Sequence, residues 1–148
     1  MIRQAVHRDS IKIASLLLES LNVNSVERHL RVDKMRLLDH VKAVIASDNG
    51  FARVALSDSN EIVGCYMGEL KPHAYCVGYI AAQLGVYIHP DHRGSKDFIL
   101  MFKSFIDWAE SKPDVLFKSF TTSQMQPGLK KLLERHGFNK ASEEYYRL

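Results

Sequence analysis

The chain has 148 residues, enough for one domain, since either half alone would bury too little apolar surface to fold. Its composition, 46% hydrophobic and 25% charged, is that of a globular protein and excludes a disordered polar tail or a fibrous repeat. The net charge is only +3, and the densest basic cluster, Lys130, Lys131 and Arg135, has the size of a solvated helix face. We therefore expect a single domain over residues 1–148 and no nucleic-acid partner.

The sequence contains no signal for export or for a membrane. No apolar run approaches the roughly 20 residues that a transmembrane helix needs, and Met1–Val6 lack the apolar core of a signal peptide. Cys65 and Cys76 cannot form a disulfide framework, and no CxxC motif is present. These features predict a reduced, cytoplasmic protein.

The first part of the chain reads as a strand followed by two helices. Ile2–Val6 has the pattern of a short strand, and Asp9 or Ser10 can cap the helix after it, because the side-chain oxygen accepts a free N–H of the first turn. The apolar stripe predicted for this helix is Ile11, Ala14, Leu18 and Leu21.

A second helix is expected to begin after Asp33 and to run to about Ala46. Its predicted apolar face is Leu37, Val41 and Val44. Asn49-Gly50 is expected to end it with a positive φ angle.

The middle of the chain predicts a hairpin and then a further strand. Phe51–Leu56 and Glu61–Leu70 flank the polar turn Ser57–Asn60. Lys71–Gly78 is expected to be a loop. The strand Tyr79–Ile88 follows and stops at His89-Pro90, since proline removes a ladder donor.

The last third predicts alternating helices and strands. The expected elements are a polar loop at Asp91–Lys96, a helix at Asp97–Ser111, a strand at Val115–Thr121, a helix from Pro127 that stops at Gly137, and final strand residues at Phe138 and Glu144–Leu148. The order β-α-α-β-β-β-α-β-α-β is a mixed α/β fold with a mostly antiparallel start and a βα crossover in the middle.

The strand–loop–helix segment Leu84–Phe98 is the most informative stretch for chemistry. Several N–H groups at the start of the predicted helix lack intrahelical partners, and together with the positive end of the helix dipole they favour a phosphate group. Arg93 and Lys96 add cationic donors. The alternative is a plain βα connection with Gly94 as its turn residue.

Other site motifs are absent: the sequence has no GxxxxGK[ST], GxGxxG, GxSxG or HExxH. His89-Pro90-Asp91-His92 brings histidines and an aspartate together, but with a spacing that matches no usual zinc site. Surface histidines are the simpler interpretation, and no metal is expected.

Four segments in order resemble the GNAT superfamily of N-acetyltransferases. Val86–Gly94 is similar to its signature strand and coenzyme A loop. The supporting segments are Ile2-Arg3-Gln4-Ala5 with Arg8-Asp9, Glu61-Ile62-Val63-Gly64, and Arg135-His136-Gly137-Phe138. The resemblance implies a mostly antiparallel sheet flanked by helices, with two central strands that splay apart for acyl-CoA. It also implies transfer of an acetyl group from acetyl-CoA to a primary amine by direct attack.

The resemblance also implies a cofactor site. The backbone of Arg93–Phe98 would hold the pyrophosphate, Val86 and Ile88 would pair with pantetheine, and an N–H within Val86–Ile88 would stabilise the oxyanion. The full expected set is Val86, Tyr87, Ile88, Arg93, Gly94, Ser95, Lys96, Asp97, Phe98 and Gln126. Lys96 and Phe98 depart from the family's small residues, and Lys96 can compensate through its charge. The segment also resembles a phage-type subgroup that lacks the double glycine.

At the positions of the family's catalytic groups, this sequence departs from the usual residues. Leu133 stands where many members have a tyrosine acid, so Tyr145 and Ser123 are the alternative proton donors. Gln83 stands where related enzymes often have a glutamate base. The other bases considered are the carboxylate of Glu69 and the imidazole of His73. The alternative for each of these residues is an ordinary strand-end, loop or core role.

The acceptor is the open part of the prediction. The family builds one wall of the acceptor site from the first two helices, and here that stretch includes Glu27, which suits an amine, and Arg28 and Arg31, which suit an acid or phosphate. The acceptor can be a small molecule or a protein. The alternatives are an inactive CoA-binding module and a structural or inhibitory partner that keeps only the fold. An edge strand near the C-terminus would also allow a homodimer.

Overall fold

In the computed structural model, the described residues are 1–24, 29–121, 127–142 and 147. The strands are β1 (Ile2–Gln4), β2 (Gly50–Leu56), β3 (Ile62–Pro72), β4 (Tyr79–Ile88) and β5 (Val115–Ser119). The helices are α1 (Ser10–Asn24), α2 (Lys34–Ala46), α3 (Asp97–Glu110) and α4 (Pro127–Arg135). The strands form one sheet in the order β1-β2-β3-β4-β5, antiparallel except for the parallel pair β4–β5. The predicted mixed α/β fold is confirmed.

The sheet separates two apolar cores. One core joins the sheet to α3 and α4 through buried residues such as Phe51, Tyr66, Phe105 and Leu133. The other joins the opposite face of the sheet to α1 and α2. Within the described ranges, no helix is both long enough and apolar enough to cross a membrane.

The start of α1 differs from the prediction. A short 3-10 turn at His7–Asp9 precedes the helix, and the Asp9 carboxylate accepts the Val6 N–H at 2.8 Å instead of capping α1. The hydroxyl of Ser10 donates to the carbonyl of His7 at 2.6 Å. The predicted capping roles were therefore wrong.

The buried face of α1 also differs from the prediction. Ile11 is 72% exposed, whereas Ile13 and Leu16 are fully buried against the sheet. The run Leu16-Leu17-Leu18 places an apolar residue on several faces of the helix, so the periodicity alone does not fix which face is buried.

The helix α2 begins after Asp33 and ends at Ala46 as predicted, but Asn49-Gly50 does not end it with a positive φ. The Asp33 carboxylate accepts the N–H groups of Met35 and Arg36 at 3.0 and 3.1 Å. Gly50, expected to end this helix with a positive φ, is the first residue of β2, and its φ is not among the positive ones. A Cβ at Gly50 would overlap the carbonyl oxygen of Val44. The glycine is required by this close approach of two backbones.

The predicted hairpin is confirmed with small shifts of its ends. The polar turn closes through the N–H of Ser57, which donates to Glu61 O at 2.9 Å, and Asn60 adopts a positive φ of 63°. Strand β3 continues to Pro72, so the predicted loop loses its first two residues. The bounds of β4 agree with the prediction.

In the C-terminal part of the chain, the two helices lie close to their predicted positions. Helix α3 ends at Glu110, one residue early, and β5 ends at Ser119 rather than at Thr121. Helix α4 begins at Pro127, and Gly137 follows its end with a φ of +80°, as predicted. Phe138 lies in no strand but packs 5.8 Å from the Phe102 ring. Most of the expected final strand, 144–146 and 148, lies outside the described residues.

Candidate functional site

The most distinctive feature of the sheet is a fork between β4 and β5. The register pairs of these parallel strands run only from Tyr79↔Val115 to Ala82↔Ser119. Strand β4 continues for six more residues to Ile88. Within the described part of the chain, this second half of β4 therefore has β3 on one side and no strand on the other.

A β-bulge lies where the two strands separate. Met67 pairs with Gly85 and Gly68 pairs with Gln83, so β4 has one extra residue, Leu84, relative to β3. An extra residue bends a strand and increases its local twist. The bend gives a physical reason for the divergence of β4 from β5 at this point.

The free edge of β4 presents main-chain groups of Val86 and Ile88. The N–H of His89 donates to Val63 O of β3 at 2.8 Å. Since main-chain groups alternate between the two edges of a strand, those of Ile88 and Val86 point the other way, into the fork. The Ile88 carbonyl accepts the Nε–H of Arg93 at 3.2 Å, so the loop contacts this edge of β4.

Gln83 lies at the closed end of the fork. Its side-chain Oε1 accepts the backbone N–H of Thr121 at 3.2 Å, across the gap and just beyond the end of β5. Thr121 was not among the predicted site residues. No local pattern indicates it, because its partner is 38 positions away in the sequence.

The loop at the open end of the fork leads directly into α3. A short 3-10 turn at Pro90–His92 follows β4, and Gly94 has a φ of +90°. The Leu100 N–H donates to Lys96 O at 3.0 Å, so the N–H groups earlier in the helix precede the first intrahelical bond. The predicted strand–loop–helix arrangement is present, and anion binding by it stays a prediction.

Polar side chains already engage part of this loop. The Ser95 hydroxyl accepts the Asp97 N–H at 3.3 Å and donates to the Asp97 carboxylate at 3.2 Å. The amino group of Met1 lies 3.2 Å from Asp97 Oδ1 and partly neutralises this negative charge. Lys96 occupies the N-cap position without a side-chain capping bond and is exposed, so its ammonium is accessible to an anion.

The two aromatic side chains of the predicted set, Phe98 and Tyr87, each contact a neighbouring residue. The Phe98 ring stacks on Phe102 of the same helix, with centroids 6.3 Å apart. The Tyr87 hydroxyl donates to the Glu19 carboxylate at 3.0 Å, so its side chain lies on the α1 face of the sheet. Partial burial, followed by the Glu19 bond, raises the pKa of Tyr87. Since the main-chain groups of Tyr87 lie on the edge of β4 that pairs with β3, neither they nor its side chain face the fork.

The candidate bases lie at different places. Glu69 pairs in register with Ala82, the last β4 residue before the fork, and its carboxylate is 3.2 Å from the Lys71 ammonium. His73 Nδ1 accepts the N–H groups of Tyr75 and Cys76 at 3.1 and 3.0 Å. This leaves the proton of the neutral ring on Nε2, so His73 has no free lone pair with which to act as a base.

Three predicted site residues, Ser123, Gln126 and Tyr145, lie outside the described residues. Leu133, at the position of the family's tyrosine, is buried in the core under α3 and α4 and has a packing role. Among the described residues, no group of His, Cys, Asp and Glu side chains is arranged to hold a metal ion.

Two open grooves flank the loop. The larger, about 500 Å³, is lined on the α1 side by Lys12, Glu19, Glu61, His89 and His92, with apolar residues between them. The smaller, about 320 Å³, includes Arg93, Ser95 and Asp97. His89 follows the end of β4, roughly 20 Å along the strand from Gln83 at about 3.3 Å per residue. The larger groove therefore lies beside the loop that follows β4 and away from the closed end of the fork.

No protein-family profile matches the chain, and no curated protein sequence matches it. Several solved structures do match it, over the full length of the chain. A predicted acetyltransferase from Clostridium acetobutylicum, solved with acetyl-CoA, superposes with a TM-score of 0.73 at 15% identity, covering 100% of this chain and 94% of that one. An aminoglycoside 6'-N-acetyltransferase from Acinetobacter haemolyticus gives 0.67 at 16% identity, covering 100% and 97%.

A transcriptional regulator from Bacillus halodurans superposes with a TM-score of 0.72 at 24% identity, covering 100% of this chain and 97% of that one. The similarity therefore extends over the whole length of these proteins, and their described activities differ. At such low identities the superpositions establish the fold alone, and the activity has to be argued from the site. The chain has the fold of the GNAT acetyltransferases.

Proposed function

We propose that the protein is an N-acetyltransferase that moves an acetyl group from acetyl-CoA to a primary amine. The observation that supports this best is the free edge of β4. Main-chain groups of Val86 and Ile88 point into the fork, and the edge leads to the loop at Arg93–Lys96, whose cationic side chains would attract an anion. A pantetheine arm has amides that would pair with such an edge, and a pyrophosphate suits such a loop.

The proposed mechanism uses main-chain groups first. Backbone N–H groups within Arg93–Phe98, apart from those of Arg93 and Asp97, which already donate to Pro90 O and Ser95 Oγ, would bind the pyrophosphate together with the Lys96 ammonium. The arm would follow the free edge from this loop toward Gln83, and a main-chain N–H of this edge would donate to the thioester oxygen as negative charge develops there.

The amine nitrogen would attack the thioester carbonyl, forming the N–C bond. The C–S bond would then break, and the electron pair would leave with the CoA sulfur. The amine loses a proton, and Glu69 is the proposed base, because it lies one register pair from the fork. Ser123 and Tyr145 remain the proposed proton donors to the thiolate.

The remaining parts of the proposal concern the partners and the cellular location. The acceptor is a primary amine on a small molecule or a protein. Association of two copies through the β5 edge is proposed on the exposure of Leu116 and Phe117. Cys65 and Cys76 are both free, which suits a reducing cytoplasm.

A second candidate function is CoA binding without turnover. It is favoured by two residues: Leu133 is buried in the core, and Gln83 cannot accept a proton and is engaged by Thr121. The test that separates the two functions begins with native mass spectrometry and calorimetric titration of the purified protein with acetyl-CoA. Stoichiometric binding with acetylation of any member of a broad amine panel supports the transferase.

Stoichiometric binding without turnover selects the inactive binding module. No binding at millimolar acetyl-CoA would reject both functions and favour a structural or inhibitory partner protein. Arg93→Ala is the binding-site variant, since Arg93 lies in the loop. Lys103→Ala, which removes one positive charge from an exposed site on α3, is its control.

A further inference from the structure

The closed end of the fork is formed by a side chain. The last register pair between β4 and β5 is Ala82↔Ser119. The next link between the two chain segments is the hydrogen bond from Thr121 N–H to Gln83 Oε1, at 3.2 Å. The Gln83 amide thus extends the connection by one step after the backbone ladder has stopped.

The neighbours of Gln83 explain why its side chain reaches across the gap. Gln83 and Gly68 are register partners, so they share a face of the sheet. The space over Gly68 is filled by Phe105, whose Cε2 would lie 2.6 Å from a Cβ placed there. With β3 covered in this way, the Gln83 side chain extends toward β5 instead.

This arrangement limits the depth of the fork. An arm that starts at the anion loop and follows the free edge of β4 meets the Gln83–Thr121 bridge after about 17 Å, at roughly 3.3 Å per residue from Ile88. The bridge is exposed to solvent and lies directly beyond the last register pair of β4 and β5, where the fork begins. Whatever lies at the end of the arm must fit in front of it.

We propose that Gln83 is a specificity-determining residue that restricts the acyl group to two carbons by holding the closed end of the fork. This rests on the proposed function, because it assumes that acyl-CoA occupies the fork. The residue has no part in proton transfer: its amide cannot accept a proton, and its oxygen is engaged by Thr121. Longer acyl chains are excluded because they would have to displace the bridge.

The test compares the dissociation constants of acetyl-CoA and butyryl-CoA by calorimetry, which requires no knowledge of the acceptor. Gln83→Leu keeps a similar volume but removes the acceptor oxygen, and Gln83→Ala removes both. We expect the preference for acetyl-CoA over butyryl-CoA to fall by about tenfold or more in both variants, the range for one or two methylenes in a pocket. Gln83→Glu keeps an acceptor oxygen and should retain the wild-type preference.

Gln4→Ala, at an exposed position on β1, is the matched control. Hydrogen exchange of the Thr121 amide should accelerate in Gln83→Leu and stay slow in Gln83→Glu, which reports the bridge independently of binding. An unchanged acetyl-to-butyryl preference in folded Gln83→Leu and Gln83→Ala, with acetyl-CoA still bound, overturns the inference and leaves the proposed function intact. Failure of the wild-type protein to bind any acyl-CoA overturns both.

Discussion

The guanidinium of Arg3 lies 2.7 Å from the carboxylate of Asp9, and this pair ties β1 to the turn that precedes α1. The Asp9 side chain is only 5% exposed and also accepts the Val6 N–H at 2.8 Å. The hydrogen bond from Arg3 is the main cause that holds the pKa of Asp9 below its usual value. These residues belong to the segment that resembles the start of GNAT sequences, and their contacts are structural.

The pair should make stability depend on pH in the acid range. Since the folded-state pKa of Asp9 is lowered, its contribution is complete above the ordinary Asp pKa and is lost as the pH falls through the folded value. Asp9→Asn should cost about 1–3 kcal/mol in the free energy of unfolding at pH 7. The difference from wild type should shrink below about pH 4.

Urea unfolding at pH 7, 5 and 3 measures this dependence. Asp58→Asn, in the exposed hairpin turn, is the control and should change little. A constant difference between Asp9→Asn and wild type down to pH 3 would contradict the assignment.

Lys96 should contribute to CoA binding through its charge. It is exposed at the N-cap of α3 and has no side-chain capping bond, so its loss should not disturb the helix. Lys96→Ala should weaken CoA binding by about threefold, the size of an exposed charge interaction, and should leave pantetheine binding unchanged. Calorimetry with both ligands is the measurement, and Lys103→Ala is the control. Equal losses for CoA and pantetheine would remove this role.

Glu69 should determine the rise of the acetylation rate with pH, if it is the base. Glu69→Gln should lower the rate by about 10²–10⁴-fold and abolish that rise, because an amide cannot accept a proton. Glu61→Gln, in the groove at the far end of β4, is the matched control. An unaltered pH–rate profile in Glu69→Gln would show that the proton leaves by another route.

Two glycine substitutions should have opposite effects on stability. Gly68→Ala places a methyl group 2.6 Å from the buried Phe105 ring and should destabilise the protein by about 1–3 kcal/mol. Gly128, in α4, has open space where a Cβ would lie, and Gly128→Ala should stabilise by about 0.5–1 kcal/mol. Thermal unfolding of both variants checks the pair. If Gly68→Ala did not destabilise the protein, α3 would pack on β3 less closely than these contacts indicate.

Local chemistry made much of the fold predictable from the sequence. The Asp33 cap, the hairpin turn and the stop at Gly137 each follow from residues within a few positions of one another. The buried face of α1 did not follow, because three consecutive leucines fit more than one helical phase. The role of Gly50 did not follow either, because it depends on a contact with the backbone of a neighbouring helix.

The candidate site was predictable only in part for the same reason. The loop at Arg93–Lys96 is a continuous segment, so its composition indicated an anion site directly. The fork depends on where the pairing of β4 with β5 stops, and the Gln83–Thr121 bond joins distant parts of the chain. Periodicity contains no information about either feature, and the splaying of the two central strands was implied only by the resemblance to GNAT sequences.

The mixed direction of the sheet also has a consequence for folding. Strands β2, β3 and β4 follow one another as antiparallel neighbours, whereas β5 joins only after the crossover through α3. Closing that longer connection costs more chain entropy before any contact is gained. We therefore expect β5 to be the last strand to form and the first to open. The proposed ligand cleft would then lie between strands that form early, β2–β4, and a strand that forms late, β5. A bound acyl-CoA would contact both and would therefore slow the opening of β5.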